Sequence, residues 1–249
     1  MSITVGDNSR RARSIMTSDV FVIVAAYNEA DRIAATLAAL ADAFPGAPVW
    51  VADDGSSDGT AAIAEAMGAS VVRSECRAPR RNGGVGKGGA VTLAAREALA
   101  CSATDDRSVA LLCDGDLGES ARLLGGLVEA VQRGDADVAV AVFAKRVGGG
   151  VGVAIGFARW AIRRRCGLEL RAPISGQRAL RASVLEEVLP FAHGFGMEVG
   201  MTIDASRAGR RVVEVQIDLH HRATGRTFGG FVHRGRQLID FVRVYLARR

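Results

Sequence analysis

Two carboxylates one residue apart, Asp114 and Asp116, close the apolar run 109–113. A second apolar run, 49–52, also ends in acids, Asp53 and Asp54. Short continuous apolar runs read as buried strands. Strands that carry acids at their C-terminal ends line them along one edge of a parallel sheet, where open α/β folds bind ligands. A carboxylate pair with this spacing suits a hard divalent cation, and such a cation suits a diphosphate. A lysine set among glycines, Gly86-Lys87-Gly88-Gly89, adds a positive charge where the backbone can approach an anion closely. Its spacing is not that of a P-loop, because GxxxxGK[ST] is absent.

These residues require a scaffold of alternating strands and helices. Hydrophobic patterning predicts strands over 21–26, 49–52, 70–73, 109–113, 137–143 and 212–219. Between and after them, helices are expected from 28 to 40, from Asp58-Gly59-Thr60 onward, and over 86–100, 121–132, 183–189, 199–208 and 228–246. Asp58 is read as the cap of its helix. The strand–helix alternation implies an α/β fold with a mostly parallel central sheet and helices on both faces. After about residue 145 the pattern changes: Gly148-Gly149-Gly150 opens a flexible passage, and a basic amphipathic stretch follows over 157–171.

Composition narrows the class. With 249 residues, 49% of them hydrophobic, the chain can bury one sizeable core. Its formal net charge of +5 fits phosphorylated ligands, anionic lipid or nucleic acid. Only 5% of residues are aromatic and no RNP, KH or zinc-finger pattern occurs, so nucleic acid is not the expected partner. The four cysteines lack CxxC spacing, which disfavours zinc and fits reduced thiols. No run reaches the ~20 apolar residues of a membrane span. The nearest, 147–162, is interrupted by Arg159 and followed by Arg163, Arg164 and Arg165. Residues 1–18 carry Arg10, Arg11 and Arg13 without a long apolar segment. They read as a mobile arm rather than a secretion signal, and the expected location is cytoplasmic.

Four motifs stand in order: Ala26-Tyr27-Asn28-Glu29, Asp53-Asp54-Gly55-Ser56-Ser57-Asp58-Gly59-Thr60, Gly86-Lys87-Gly88-Gly89-Ala90 and Asp114-Gly115-Asp116. Together they resemble the family 2 glycosyltransferases over roughly residues 20–225. The resemblance implies the GT-A fold, a Rossmann-like nucleotide-diphospho-sugar transferase architecture. It also implies a nucleoside diphosphate sugar as donor, UDP- or GDP-linked, and Mg2+ or Mn2+ as cofactor. By that resemblance Ala25, which stands where the family usually has Pro, lines the nucleotide pocket. Tyr27 edges the base, and Asp54 reads it. Glu29 either bonds the ribose or only favours the first turn of its helix. Lys87 contacts the nucleotide-sugar. Asp116 binds the metal directly, and Asp114 meets the ribose or the metal.

Further motifs lie in the second half. Ser175-Gly176-Gln177-Arg178 resembles the segment that closes over the sugar, placing Gly176 in the donor site; Ala172-Pro173 stands where an Asp is usual. Glu198, in Gly196-Met197-Glu198-Val199, is the candidate general base, with a helix N-terminal acid as its alternative. The run from His221 to Thr227 resembles the R-x-x-G-x-S pattern of polyprenyl-phosphate sugar transferases, with Thr227 in place of Ser. There Arg222 and Arg226 would clamp phosphates of donor or acceptor, Arg222 with a catalytic part, and His221 would reach the metal.

The expected division is an arm (1–18), a transferase domain (19–228, a nucleotide half to about 145 and an acceptor half from 146) and a basic amphipathic helix (229–249). Residues 207–249 hold ten Arg against Glu214, Asp218 and Asp240, a formal +7, interleaved with apolar side chains. That composition fits peripheral contact with anionic lipid as well as an ordinary packed helix. The acceptor is read as a polyprenyl phosphate or a related phosphorylated acceptor. A soluble acceptor, such as 3-phosphoglycerate or a metabolite hydroxyl, is the alternative. A nucleotidyltransferase is disfavoured because no Gly-rich loop follows the first strand. A homodimer is compatible with the sequence.

Overall fold

The computed structural model describes residues 2–3, 19–74, 85–102, 105, 107–143, 152–217 and 228–248. In chain order these form β1 (Ser2–Ile3), β2 (Val20–Ala26), α1 (Ile33–Ala43), β3 (Val49–Asp53), α2 (Thr60–Ala66), β4 (Ser70–Arg73), α3 (Lys87–Cys101) and β5 (Val109–Asp114). A 3-10 turn (Gly118–Leu124) leads into α4 (Gly125–Gln132), then β6 (Val138–Phe143), α5 (Val153–Cys166), β7 (Arg178–Arg181) and α6 (Ala182–Val188). A second 3-10 turn (Gly194–Gly196) opens α7 (Met197–Arg207), followed by β8 (Val212–Ile217) and α8 (Phe228–Ala247).

One eight-stranded sheet runs in the order β1-β8-β6-β7-β5-β2-β3-β4. Only β7 is antiparallel, to β5 on one side and β6 on the other. The α/β class and the mostly parallel sheet therefore match the expectation. The central strands are apolar on both faces because helices cover both. Val22, Val24 and Leu111 face one core with Leu37, Leu40 and Leu127, and Ile23 and Leu112 face the other with Val91, Leu185 and Met201. A third cluster, Ile162, Val199, Ile203, Phe241 and Val244, joins α5, α7 and α8.

Register explains how the acids meet. Ala25 pairs with Ala52 of β3 and with Asp114 of β5, and Ala26 pairs with Asp53. The C-terminal ends of β3, β2 and β5 thus lie side by side, where the chain order reverses across the sheet.

Several expectations are corrected. The first helix starts at Ile33 rather than Asn28. Asn28 sits at φ +55 and is tied into the neighbouring loop, its N–H donating to Ser56 Oγ and its Oδ1 accepting from Ser57 N. The helix expected over 121–132 is a 3-10 turn up to Leu124 and α-helical only from Gly125. The basic stretch is helical only to Cys166, where Gly167 (φ +75) supplies the left-handed residue that ends it. Strand β7 has no counterpart among the expected strands, since four residues, Arg178-Ala179-Leu180-Arg181, give too short a pattern. Residues 2–3 of the expected arm lie along β8 as a parallel strand, Ser2 opposite Glu214. The Gly148-Gly149-Gly150 passage lies outside the described residues.

Candidate active site

The rim at the ends of β2 and β3 is built from two loops that hydrogen-bond each other. Glu29 N donates to Thr60 Oγ1 (2.8 Å), and Ala30 N to Asp58 Oδ2 (3.1 Å). Asp58 Oδ1 accepts from Thr60 N (3.0 Å) at the start of α2. Asp58 is thus a loop tie as well as a helix-start acid, and those bonds lower its pKa, the one from Thr60 Oγ1 most. Asp53 is fully buried and structural, taking Ser56 N (2.9 Å) and Arg73 Nε (3.1 Å). Asp54, half-buried beside it, accepts from Gly86 N (2.8 Å) and Ser74 Oγ (3.3 Å), which fixes the approach to α3. Burial raises its pKa despite those bonds. Tyr27 is 44% exposed at the tip of β2, open to a ligand ring. Ala25 contributes backbone, its carbonyl accepting from Gly115 N (2.8 Å). Gly115 itself must be small: a Cβ there would lie 3.2 Å from that carbonyl and 3.2 Å from Ile33 Cδ1.

Lys87 is the hub. As the first residue of α3 it points its ammonium between two carboxylates, donating to Asp114 Oδ1 (2.6 Å) and Glu198 Oε1 (2.8 Å). Burial opposes its charge, but the two acids outweigh that and hold it protonated well above the ordinary lysine range. Gln177 Nε2 donates to the other oxygen of Asp114 (2.8 Å). Gly176 lies directly against this pair. A Cβ on it would fall 2.6 Å from Asp114 Oδ2 and 2.9 Å from Lys87 Nζ, so any larger residue would have to displace the ion pair.

The structure thus brings Lys87, Asp114, Gly176 and Glu198 together from four separate elements. It also revises two roles. Asp114 has both oxygens engaged by the protein, so it is less available than Asp116 as a metal ligand. Glu198 is 4% exposed and ion-paired, a poor starting point for a general base.

Asp116 contrasts with Asp114. Its carbonyl accepts from Arg32 NH1 (3.4 Å), while its carboxylate makes no hydrogen bond or ion pair among the described residues. Its charge is felt by Glu29, whose pKa rises to about 7, first through burial and then through Asp116, with Asp31 and Asp114 adding to it. Burial comes first in that shift, and the part added by Asp116 marks negative charge gathered beside it. Hard oxygen donors in such a spot fit a divalent cation. Among the described residues no three His, Cys, Asp or Glu side chains form a ready-made metal cluster. Of the three ligands expected, Asp116 is in place, Asp114 is held by Lys87, and His221 lies outside the described residues, as do Arg222 and Arg226.

The sign of the Glu29 shift makes a prediction. An acid whose folded-state pKa is raised favours the native state at low pH. That advantage is lost as pH rises from the ordinary value of 4.5 through about 7. Glu29→Gln should therefore raise the melting temperature at pH 8, by about 2 °C after allowing for solvent screening, and change it little at pH 4.5. Differential scanning fluorimetry of both proteins across this range checks it. Equal melting temperatures at pH 8 would show that Glu29 does not sit in a negative field.

Two residues that sequence reasoning gave no separate role support the acceptor side. Gln177 orients Asp114. Arg178 is fully buried, and its guanidinium donates to Ser175 O (2.9 Å), Pro173 O (3.2 Å) and Thr202 Oγ1 (2.9 Å). Burial lowers its pKa to about 10, partly offset by Glu198 and Glu214. Arg178 thereby staples the loop that presents Gly176. Arg178 opens a short strand in the middle of the sheet, where a buried charge has to find fixed acceptors.

Comparison with known proteins agrees with this geometry. The sequence profile described as "Glycosyl transferase family 2" matches residues 21–189. An undecaprenyl-phosphate mannosyltransferase of Micrococcus luteus is 32% identical over 243 residues, covering 92% of this chain and 95% of that protein. Glucosyl-3-phosphoglycerate synthase from Mycobacterium tuberculosis, solved with Mn2+, UDP-glucose and phosphoglyceric acid, superposes with a TM-score of 0.70. It is 26% identical, with 97% of this chain and 86% of that one covered. The same enzyme with phosphoglyceric acid alone gives 0.71 at 25% identity, over 98% and 86%. On the profile match and the near full-length relative, the chain belongs to glycosyl transferase family 2 and is a glycosyltransferase.

Proposed function

We propose that the protein moves a hexose from a UDP- or GDP-linked donor to a polyprenyl phosphate. The state of Glu198 carries this reading. A hydroxyl acceptor must lose a proton as it attacks, whereas a phosphate arrives ionised. The one acid expected to serve as base is buried and held by Lys87. A site with its candidate base neutralised suits an acceptor that needs none. The extended similarity to an undecaprenyl-phosphate mannosyltransferase supports the same acceptor class.

The residues divide the work as follows. Tyr27 and Asp54 take the base, and Glu29 the ribose. Asp116, with His221, would hold Mg2+ or Mn2+, which when bound offsets the charge of the diphosphate and of the departing nucleoside diphosphate. Lys87 fixes Asp114 on the donor side and Glu198 on the acceptor side at one distance, and Gly176 lets the acceptor loop close on that pair. Arg222 and Arg226 supply cationic contacts to phosphate. A lipid-linked acceptor implies peripheral attachment to a membrane, since no described helix is long and apolar enough to cross one.

The second reading, transfer to 3-phosphoglycerate, is favoured by the structural similarity to the phosphoglycerate-bound synthase. Purified protein with Mn2+ should be offered UDP- and GDP-hexoses together with either a short-chain polyprenyl phosphate or 3-phosphoglycerate. Formation of a glycosyl lipid phosphate is expected. Turnover with 3-phosphoglycerate alone would overturn the lipid acceptor.

A further inference from the structure

We infer that the outer face of α5 and α8 is the surface on which the protein rests against an anionic lipid bilayer; the inference rests on the lipid-phosphate reading above. Exposed large apolar side chains are concentrated on these two helices: Val153 (59%), Ile155 and Trp160 on α5, and Ile239 (52%), Val242 and Leu246 on α8. On α8 they recur at i, i+3 and i+7, one stripe beside the buried stripe of Phe241 and Val244. Aromatic contact joins the two helices. Trp160 packs on Tyr245 (centroids 4.8 Å) and on Phe157 (5.4 Å), and the Arg165 guanidinium lies 3.7 Å over the Tyr245 ring. The apolar strip is therefore continuous from one helix to the other.

Charge selects the occupant. Arg159, Arg163, Arg164 and Arg243 are exposed on the same two helices. Of the acids nearby, Glu169 meets Arg163 only at 3.8 Å. Asp240 accepts from Phe195 N through Oδ2 (3.1 Å) and from Arg243 NH1 through Oδ1 (3.3 Å), so it offsets Arg243 and leaves the excess positive charge on the arginines of α5. An apolar strip with tryptophan at its centre and arginines beside it matches the headgroup boundary of an anionic leaflet. A second copy of the chain would bring these arginines face to face, which disfavours self-association through this surface.

The face is also rigidly joined to the site. Arg248, the residue after α8, pairs with Asp204 of α7 (2.7 Å). A Cβ on Gly196 would fall 2.4 Å from Val244 Cγ2, so helix and loop touch without a gap. Residues 194–198, which lead to Glu198, are thus clamped between the proposed membrane face and Lys87. A protein seated by α5 and α8 presents its acceptor half to the lipid.

Sedimentation of the full-length protein with vesicles tests this. Vesicles of phosphatidylcholine containing phosphatidylglycerol are compared with phosphatidylcholine alone, for wild type and for the exposed double variant Val242→Asp/Leu246→Asp. Wild type should partition to the anionic vesicles, less at high salt, and the variant about tenfold less. The variant should keep wild-type turnover with a water-soluble short-chain polyprenyl phosphate while losing turnover with long-chain acceptor in vesicles. Equal sedimentation of the two proteins overturns the inference. So does a variant that changes the monomer–dimer balance in analytical ultracentrifugation without changing vesicle binding, which would assign the face to self-association. If wild type binds anionic vesicles through this face yet glycosylates no lipid phosphate, the acceptor reading fails and the membrane face stands. If it glycosylates lipid phosphate without binding vesicles, the reverse holds.

Discussion

Lys87→Met should cost the protein about 2–4 kcal/mol of stability at pH 8 and lower kcat/KM at least about 100-fold. Its ammonium lies 2.6 Å from Asp114 and 2.8 Å from Glu198, and the Glu198 side chain is only 5% exposed. Methionine fills the stem but leaves two carboxylates facing each other across the gap without a counter-ion. Breaking a buried pair from one side leaves an uncompensated charge, which costs more than the intact pair contributes. Adding Glu198→Gln to Lys87→Met should restore much of the stability, since one of the two stranded charges is removed, but not the activity, since Asp114 remains unanchored. Urea denaturation of the two single variants and the double variant closes the cycle. Additive losses would mean that Lys87 and Glu198 are not energetically coupled. A Lys87→Met protein as stable as wild type would mean that the hub does not hold the two halves together.

Asp116→Ala should have the opposite profile: an intact fold with turnover down at least about 1000-fold. The half-buried carboxylate of Asp116 makes no hydrogen bond or ion pair among the described residues, and its negative charge burdens Glu29. Its removal should leave the melting temperature unchanged or slightly higher at pH 8. The loss should appear in ligand response. Mn2+ with UDP should raise the wild-type melting temperature by about 5–10 °C at saturating concentrations, because a ligand that binds only the native state stabilises it by mass action. The variant should show little of that shift. Near-normal turnover by Asp116→Ala with added Mn2+ would remove Asp116 from the metal site. Together the two variants separate a residue that holds the site together from one that holds the ligand.

Much of this architecture was legible before any coordinates. The strands around Val22, Val51 and Leu111 are apolar on both faces, a local pattern that allows few other conformations. Their terminal acids follow directly in the chain, so the edge carrying Asp54, Asp114 and Asp116 could be read off residue by residue. Helix starts were less legible. Asn28 looked like the opening of a helix, but Ser56 and Ser57, nearly thirty residues away, hold it in a left-handed turn. A competing partner at that distance leaves no mark on local periodicity.

The sequence by itself determined the α/β class, the order of the strands that carry acids, and the family, because these depend on residue type and near-neighbour spacing. Only the tertiary structure decided what the charged side chains do. It set Lys87 between Asp114 and Glu198 as their counter-ion. It buried Glu198 against Lys87 and Arg178 against carbonyls. Each outcome is electrostatic: a charge taken out of water must find its partner in three dimensions, and Lys87 and Glu198 are 111 residues apart in the chain.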